Sequence, residues 1–404
     1  MFGLSSRAAS MPPSPIRKLA PYADAAKARG IQIYHLNIGQ PDIDSPEGFW
    51  NAVQNTGLKV LEYSPSQGIA PLRERMARHY QSLGFDIQPD NIITTTAGSE
   101  ALNFALLSVC NPGEEVVVPE PMYANYIGFS TAASVNVVPL TTRIDEGFRL
   151  PEVAEFEAAL TPKTRAILVC NPGNPTGAVY SREQMHQLRD LCLKHGLYLI
   201  GDEVYRDFNY TSEPILSVLE LEGLEQQTIM IDSVSKRFSL CGARIGFFVS
   251  KNHTLTDAAL RMAQARLSPP TLEQLGVLGA MDTPQSYFDA VRTEYMARRD
   301  TVIERIRQIP GAMVPPIHGA FYATVRLPID DSDQFCQWLL ESFDLNGKTV
   351  MLAPATGFYS TPGLGVDEVR IAYVLNRERL NEAMDCLAAA LKVYPGRREV
   401  AAAL

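Results

Sequence analysis

Two periods organise the apolar positions of the chain. Short runs of aliphatic and β-branched residues at Ile92 to Thr96, Glu115 to Pro119, Arg165 to Val169, Leu197 to Ile200 and Thr228 to Ile231 predict buried strands. Apolar residues three to four positions apart predict helices at Lys18 to Arg29, Ala70 to Leu83, Ser181 to His195 and Leu255 to Arg266, with further helical pattern from Gln274 to Ile309. Gly30 suits the position just past a helix end. Ile31 to Leu36 alternates like a strand. A later region opening at Gly319 holds a helix from Gln334 to Ser342 and a strand from Val350 to Leu352.

Polar residues follow several of these apolar runs, and in open α/β sheets ligands bind beyond the carboxyl ends of the strands. After Thr228 to Ile231 come Ser233, Ser235 and Lys236, then Arg244 between Gly242 and Gly246. Hydroxyls, backbone donors and a guanidinium suit a phosphate monoester, and a lysine beside them suits an aldehyde. Taken alone, a loop lysine is most often a solvated surface charge. Asp202 and Tyr205 follow Leu197 to Ile200. An acid at a strand end either pairs with a cation or caps the next helix. Past Val169, Asn171-Pro172-Gly173-Asn174-Pro175-Thr176-Gly177 is a turn whose prolines and glycines fix the Asn174 amide. Thr96 leads through Ala97, Gly98, Ser99 and Glu100 straight into an apolar helix, whose first N–H groups form an anion site. Arg370, inside the apolar run Val369 to Tyr373, needs an anionic partner.

From about Asn37 to Tyr373 these motifs and their order resemble the class I aminotransferase family of fold-type I pyridoxal-phosphate enzymes, whose signature is Ser-x-Ser-Lys followed by Gly-x-Arg-x-Gly. The resemblance implies an α/β fold. Its large domain, over 46–290, carries a central, mostly parallel seven-stranded sheet flanked by helices. A smaller α+β domain is formed by both chain ends, residues 1–45 and 291–404. Pyridoxal 5'-phosphate is the implied cofactor. Lys236 forms the Schiff base and acts as general base, Asp202 meets the ring nitrogen, and Tyr205 and Asn174 reach the phenolate oxygen. Gly98, Ser99, Glu100, Ser233, Ser235 and Arg244 surround the phosphate, and Tyr123 stacks on the ring. Gly39, Asn174 and Arg370 bind the substrate, Arg370 at its α-carboxylate. Tyr63, in a loop after Leu61, reaches the phosphate of a second subunit, so a homodimer with shared sites is implied. Taken alone, Gly39-Gln40-Pro41-Asp42 is an ordinary turn, and Tyr63 and Tyr123 are ordinary packed aromatics.

The implied activity is a ping-pong transfer of an amino group between an L-amino acid, aspartate or glutamate first, and a 2-oxo acid such as 2-oxoglutarate. Same-fold lyases, both C–S β-lyases and cyclopropane-carboxylate-type synthases, share these residues and stay open as alternatives. A non-catalytic regulator that senses the cofactor or an amino acid is a third, though such regulators usually carry a DNA-binding domain ahead of the motifs. Some dicarboxylate-specific relatives place an arginine shortly after a Pro-Pro turn; here Pro269-Pro270 is followed by Thr271-Leu272-Glu273-Gln274. Arg17, Lys18 and Arg266 are the cations that could substitute. Ala243 replaces the tryptophan common before the phosphate arginine.

Composition narrows the field further. With 404 residues, 46% hydrophobic and 20% charged, the chain is long enough for two domains and is neither disordered nor membrane-like. A net charge of -9 argues against nucleic acid and requires local arginines and helix ends to hold any anion. Six cysteines without a Cys-x-x-Cys pair are expected to be reduced in a soluble, cytoplasmic protein. No metal-ligand spacing of histidines is present, and Met1 to Ser10 is expected to be a flexible leader.

Overall fold

The structure is a computed structural model that describes residues 3–399. Its strands are β1 (Gln32–His35), β2 (Ile92–Thr96), β3 (Glu115–Glu120), β4 (Asn136–Thr141), β5 (Thr164–Cys170), β6 (Tyr198–Asp202), β7 (Thr228–Ser233), β8 (Ile245–Val249), β9 (Tyr322–Arg326), β10 (Lys348–Met351), β11 (Ala353–Pro354) and β12 (Glu368–Ala372). Seven of them form one sheet in the order β2-β8-β7-β6-β5-β3-β4. β8 alone runs opposite to the other six.

Alternate residues of these strands feed two separate cores. Ile167, Val169, Leu199, Met230 and Phe247 join one cluster, whereas Leu168, Ile200, Ile229, Ile231 and Phe248 join the other. Each face is therefore covered, which explains why the strands read as unbroken apolar runs rather than as alternating ones. Helix Ala97–Val109 packs against β7 and β8, and helix Arg182–His195 contacts β6. Ser181 caps the latter through a reciprocal pair with Gln184, and Gly196 ends it at φ 65°.

The chain ends build the remaining sheets. β1 pairs in parallel with β10, and β12 lies between β9 and β11, antiparallel to both. The two groups are joined where Ala372 N donates to Leu36 O at 2.8 Å. β1 does not keep the alternation its sequence suggests: Ile33 and Tyr34 are both buried, because helices Ala20–Ala28 and Arg377–Val393 both pack on it. The helical stretch from Gln274 to Ile309 is divided, with Pro284 separating Thr271–Ala280 from Gln285–Arg307. In the expected leader, Met1 and Phe2 lie outside the described residues, and Ser6–Ser10 forms an exposed short helix capped by Ser5. Among the described residues no helix is long and apolar enough to cross a membrane.

Candidate active site

Cys170, Asp202 and Ile231 are register neighbours across β5, β6 and β7, so the segments leaving these strands start level with one another. Asn171 N donates to Asp202 O (3.0 Å) and Glu203 N to Ile231 O (2.9 Å), which locks the three exits together. A cavity of about 280 Å³ opens beyond them, and Asn174, Asp202, Tyr205, Ser235 and Lys236 all line it. Arg17, Gly39, Gly98, Ser99, Tyr123, Ser233, Arg244 and Arg370 complete the group of sequence-identified residues found there.

Lys236 lies in the short helix Val234–Arg237, which Ser233 caps by accepting from Ser235 N. Its ammonium donates to Gly39 O at 2.7 Å. The next residue, Arg237, is buried and pairs with Asp207 (2.7 Å) and Asp232 (3.6 Å), fastening the lysine helix to β7 and to the turn that carries Tyr205. The Asn174 turn closes on itself: Gly173 N donates to Ala178 O and Gly177 N to Gly173 O. From it the Asn174 amide donates to the Tyr205 hydroxyl at 3.4 Å.

Two buried ionic groups in the cavity form no salt bridge among the described residues. Asp202 accepts from Tyr126 Oη at 2.6 Å, but burial raises its pKa to about 6, and only the more distant Lys236 acts as a cation on it. A turn rather than a helix follows it, so Asp202 is not a helix cap. Arg370, 1% exposed, donates to Asn174 Oδ1 (3.0 Å) and Asn37 O (2.5 Å), and its Nε has no partner among the described residues. Its guanidinium lies over the rings of Tyr322 (4.6 Å) and Phe358 (4.7 Å). Burial draws its pKa below the ordinary value, and among the described residues no carboxylate opposes the shift.

Helix Ala97–Val109 opens onto the cavity at Gly98 and Ser99 with no side-chain cap, leaving first-turn N–H groups for an anion. Gly246 on β8 permits this placement, since a Cβ there would collide with the backbone of Ala97 and Gly98. Arg244 is exposed at the rim. Ser233 has a mainly structural task, its hydroxyl bonding Ile245 O (3.0 Å) and Ser235 Oγ (2.9 Å).

One residue expected at the site, Glu100, lies beside it. The Glu100 carboxylate accepts from Thr96 N and pairs with Arg266 at 3.0 Å, and it does not line the cavity. Tyr63, expected at the phosphate of a second subunit, is 81% exposed and does not line the cavity of its own chain. Gly39 is required by a neighbour that sequence reading did not name: a Cβ there would strike the Tyr322 hydroxyl. Tyr322, whose hydroxyl is 2.9 Å from that of Tyr205, and Tyr126 were both missed. Tyr126 had a positional signal, three residues past Tyr123 at the start of a helix; Tyr322 had none beyond its aromatic neighbours.

The arrangement matches the chemistry of pyridoxal phosphate. Asp202 is a buried acid suited to a protonated ring nitrogen, the open helix end with Ser235 and Arg244 suits a phosphate, and Arg370 is a buried cation suited to a substrate carboxylate. Among the described residues no group of histidine, cysteine and acidic side chains forms a metal site.

Residues 31–387 match the family model for aminotransferase class I and II. Aspartate aminotransferase of Thermotoga maritima is 32% identical over 384 residues, covering 95% of this chain and 97% of that protein. Aromatic-amino-acid aminotransferase 2 of Thermococcus litoralis is 32% identical over 397 residues, with 96% and 98% covered. The solved structure of Thermus thermophilus aspartate aminotransferase with maleate superposes with a TM-score of 0.88 at 29% identity, covering 96% of this chain and all of that one. Members of this family use pyridoxal 5'-phosphate to move amino groups between amino acids and 2-oxo acids. The chain belongs to the class I and II aminotransferases and is a pyridoxal-phosphate-dependent transaminase.

Proposed function

We propose that the enzyme transfers the amino group of aspartate or glutamate to a 2-oxo acid such as 2-oxoglutarate, by a ping-pong sequence, as a homodimer in the cytoplasm. The observation that carries the active-site assignment is Arg370, a fully buried guanidinium that pairs with no carboxylate among the described residues, in one cavity with Lys236, Asp202 and Asn174. A buried charge without a partner is costly, and an α-carboxylate is the anion that every amino acid and 2-oxo acid brings. The relatives named aspartate aminotransferase support the acidic substrate, and the aromatic relative makes aromatic amino acids the competing class.

When bound, pyridoxal phosphate supplies an aldehyde that condenses with amines and a cationic ring that takes up the electrons left when the Cα–H bond breaks. Lys236 would anchor it and then, as a free amine, take the proton from substrate Cα and return it. Asp202 would hold the positive charge on the ring nitrogen. Gly98, Ser99, Ser235 and Arg244 would hold the phosphate, with Tyr123 against the ring and Tyr205 and Asn174 at the phenolate. Arg370 and Asn174 would fix the α-carboxylate, favouring release of the Cα proton over loss of the carboxylate.

Dimerisation is supported by the loop that carries Leu58, Val60, Leu61 and Tyr63, each at least half exposed. Tyr63 would complete the partner's phosphate site. Six free cysteines fit a reducing compartment. The decisive experiment is a spectrophotometric half-reaction screen of the loaded enzyme with the common amino acids, with product analysis. Aspartate or glutamate should react fastest and yield a 2-oxo acid in step with amination of 2-oxoglutarate; ammonia and pyruvate as products would contradict transamination.

A further inference from the structure

We propose that Arg17 binds the second carboxylate of the dicarboxylic substrate. This deepens the aspartate or glutamate reading and rests on it. Charge accounting in the cavity leads there. Arg17, Lys236, Arg244 and Arg370 line it, and against them, among the described residues, stands only the acid Asp202. Lys236 is taken by the aldehyde, Arg244 by the phosphate and Arg370 by the α-carboxylate, which leaves one guanidinium over.

Of the three cations the sequence offered for this task, only Arg17 is both at the cavity and free. Lys18 pairs with Asp333, and Arg266 pairs with Glu100 at 3.0 Å. The Arg17 side chain has no hydrogen-bond or ion-pair partner among the described residues; only its backbone is bonded, the N–H to Ser14 O (3.2 Å) and Ser14 Oγ (3.3 Å) and the carbonyl to Ala20 N (3.0 Å).

The segment that carries Arg17 is anchored beside Arg370. Pro15 lies against Gly357, where any Cβ would clash, and Ile16 packs on the cluster that contains Phe358. The Phe358 ring in turn carries the Arg370 guanidinium at 4.7 Å. Ile16 and Phe358 therefore connect the two arginines through packed side chains, with one cation buried and the other at the mouth. A substrate with carboxylates at both ends can engage both; an alanine or a phenylalanine cannot.

The test compares the loaded wild-type enzyme with R17Q and K18Q. It measures kcat/KM for aspartate, glutamate and alanine, and equilibrium binding of succinate and butyrate. A guanidinium–carboxylate bond at a solvent-facing site is worth roughly tenfold. R17Q should lose about tenfold in kcat/KM for the two acidic substrates and in succinate affinity, with alanine and butyrate unchanged and K18Q like wild type. Equal losses for all ligands, no loss, or the same loss in K18Q would overturn the assignment to Arg17 while leaving the acidic substrate intact. A wild-type enzyme that prefers neutral or aromatic amino acids and binds succinate no better than butyrate overturns the substrate reading itself.

Discussion

Arg370 Nη1 donates to Asn174 Oδ1 at 3.0 Å, while the Asn174 amide donates to the Tyr205 hydroxyl at 3.4 Å. One side chain thus couples the substrate's carboxylate site to the hydroxyl proposed to face the cofactor. Replacing Asn174 by Asp places a carboxylate beside a buried guanidinium that has none. N174D should therefore raise the thermal midpoint of the cofactor-free protein and lower kcat/KM by on the order of a hundredfold, because the built-in anion competes with the substrate's. Calorimetry and steady-state kinetics check both signs; a variant that loses stability and keeps activity contradicts the assignment.

Removing the guanidinium should have a related outcome. Arg370→Met deletes a desolvated charge, so the free protein should be unchanged or up to about 3 kcal/mol more stable. Turnover should suffer mainly in KM, with kcat/KM down roughly a hundredfold or more, the loss of two charge-assisted hydrogen bonds.

Asp202 gives a pH dependence. Burial raises its folded-state pKa from 3.8 to about 6, so between those values the folded protein binds more protons than the unfolded chain. Its contribution therefore declines as pH rises through this window and stays unfavourable above it, by about 3 kcal/mol at most. D202N should stabilise the cofactor-free protein at pH 7 and have little such effect at pH 4. Cofactor affinity and turnover should fall in the same variant. Thermal melts at the two pH values check this, and equal effects at both would count against a buried, ionised Asp202.

Gly39 tests the packing beneath the site. Its carbonyl holds Lys236 at 2.7 Å, and its missing Cβ leaves room for the Tyr322 hydroxyl. G39A should displace the tyrosine or the loop and lower kcat by about tenfold to a hundredfold. A Cβ there would also lie 2.4 Å from Tyr322 Cζ, so the double variant G39A/Y322F, which removes only the hydroxyl oxygen, should retain most of that loss.

Much of this site was legible because it depends on backbone elements. β5 and β7 are buried on both faces and read as continuous apolar runs, and the residues after them have to emerge at one sheet edge. The Asn174 turn and the uncapped helix start at Gly98 follow from local chemistry in the same way. Tertiary neighbours were not legible. Tyr322 reaches the cavity from β9, whose sequence says nothing about Tyr205 or Gly39. The Glu100 carboxylate is held by Thr96 N and by Arg266, a partner 166 residues along the chain. The role of Arg17 depends on Phe358 and Gly357, more than 300 residues along the chain.

The most direct measurement is to load the purified protein with pyridoxal phosphate, reduce it with borohydride and map the added mass onto peptides. One cofactor per chain is expected, fixed on the peptide containing Lys236 and absent from K236A. Mass on a different lysine, or none at all, would contradict this assignment.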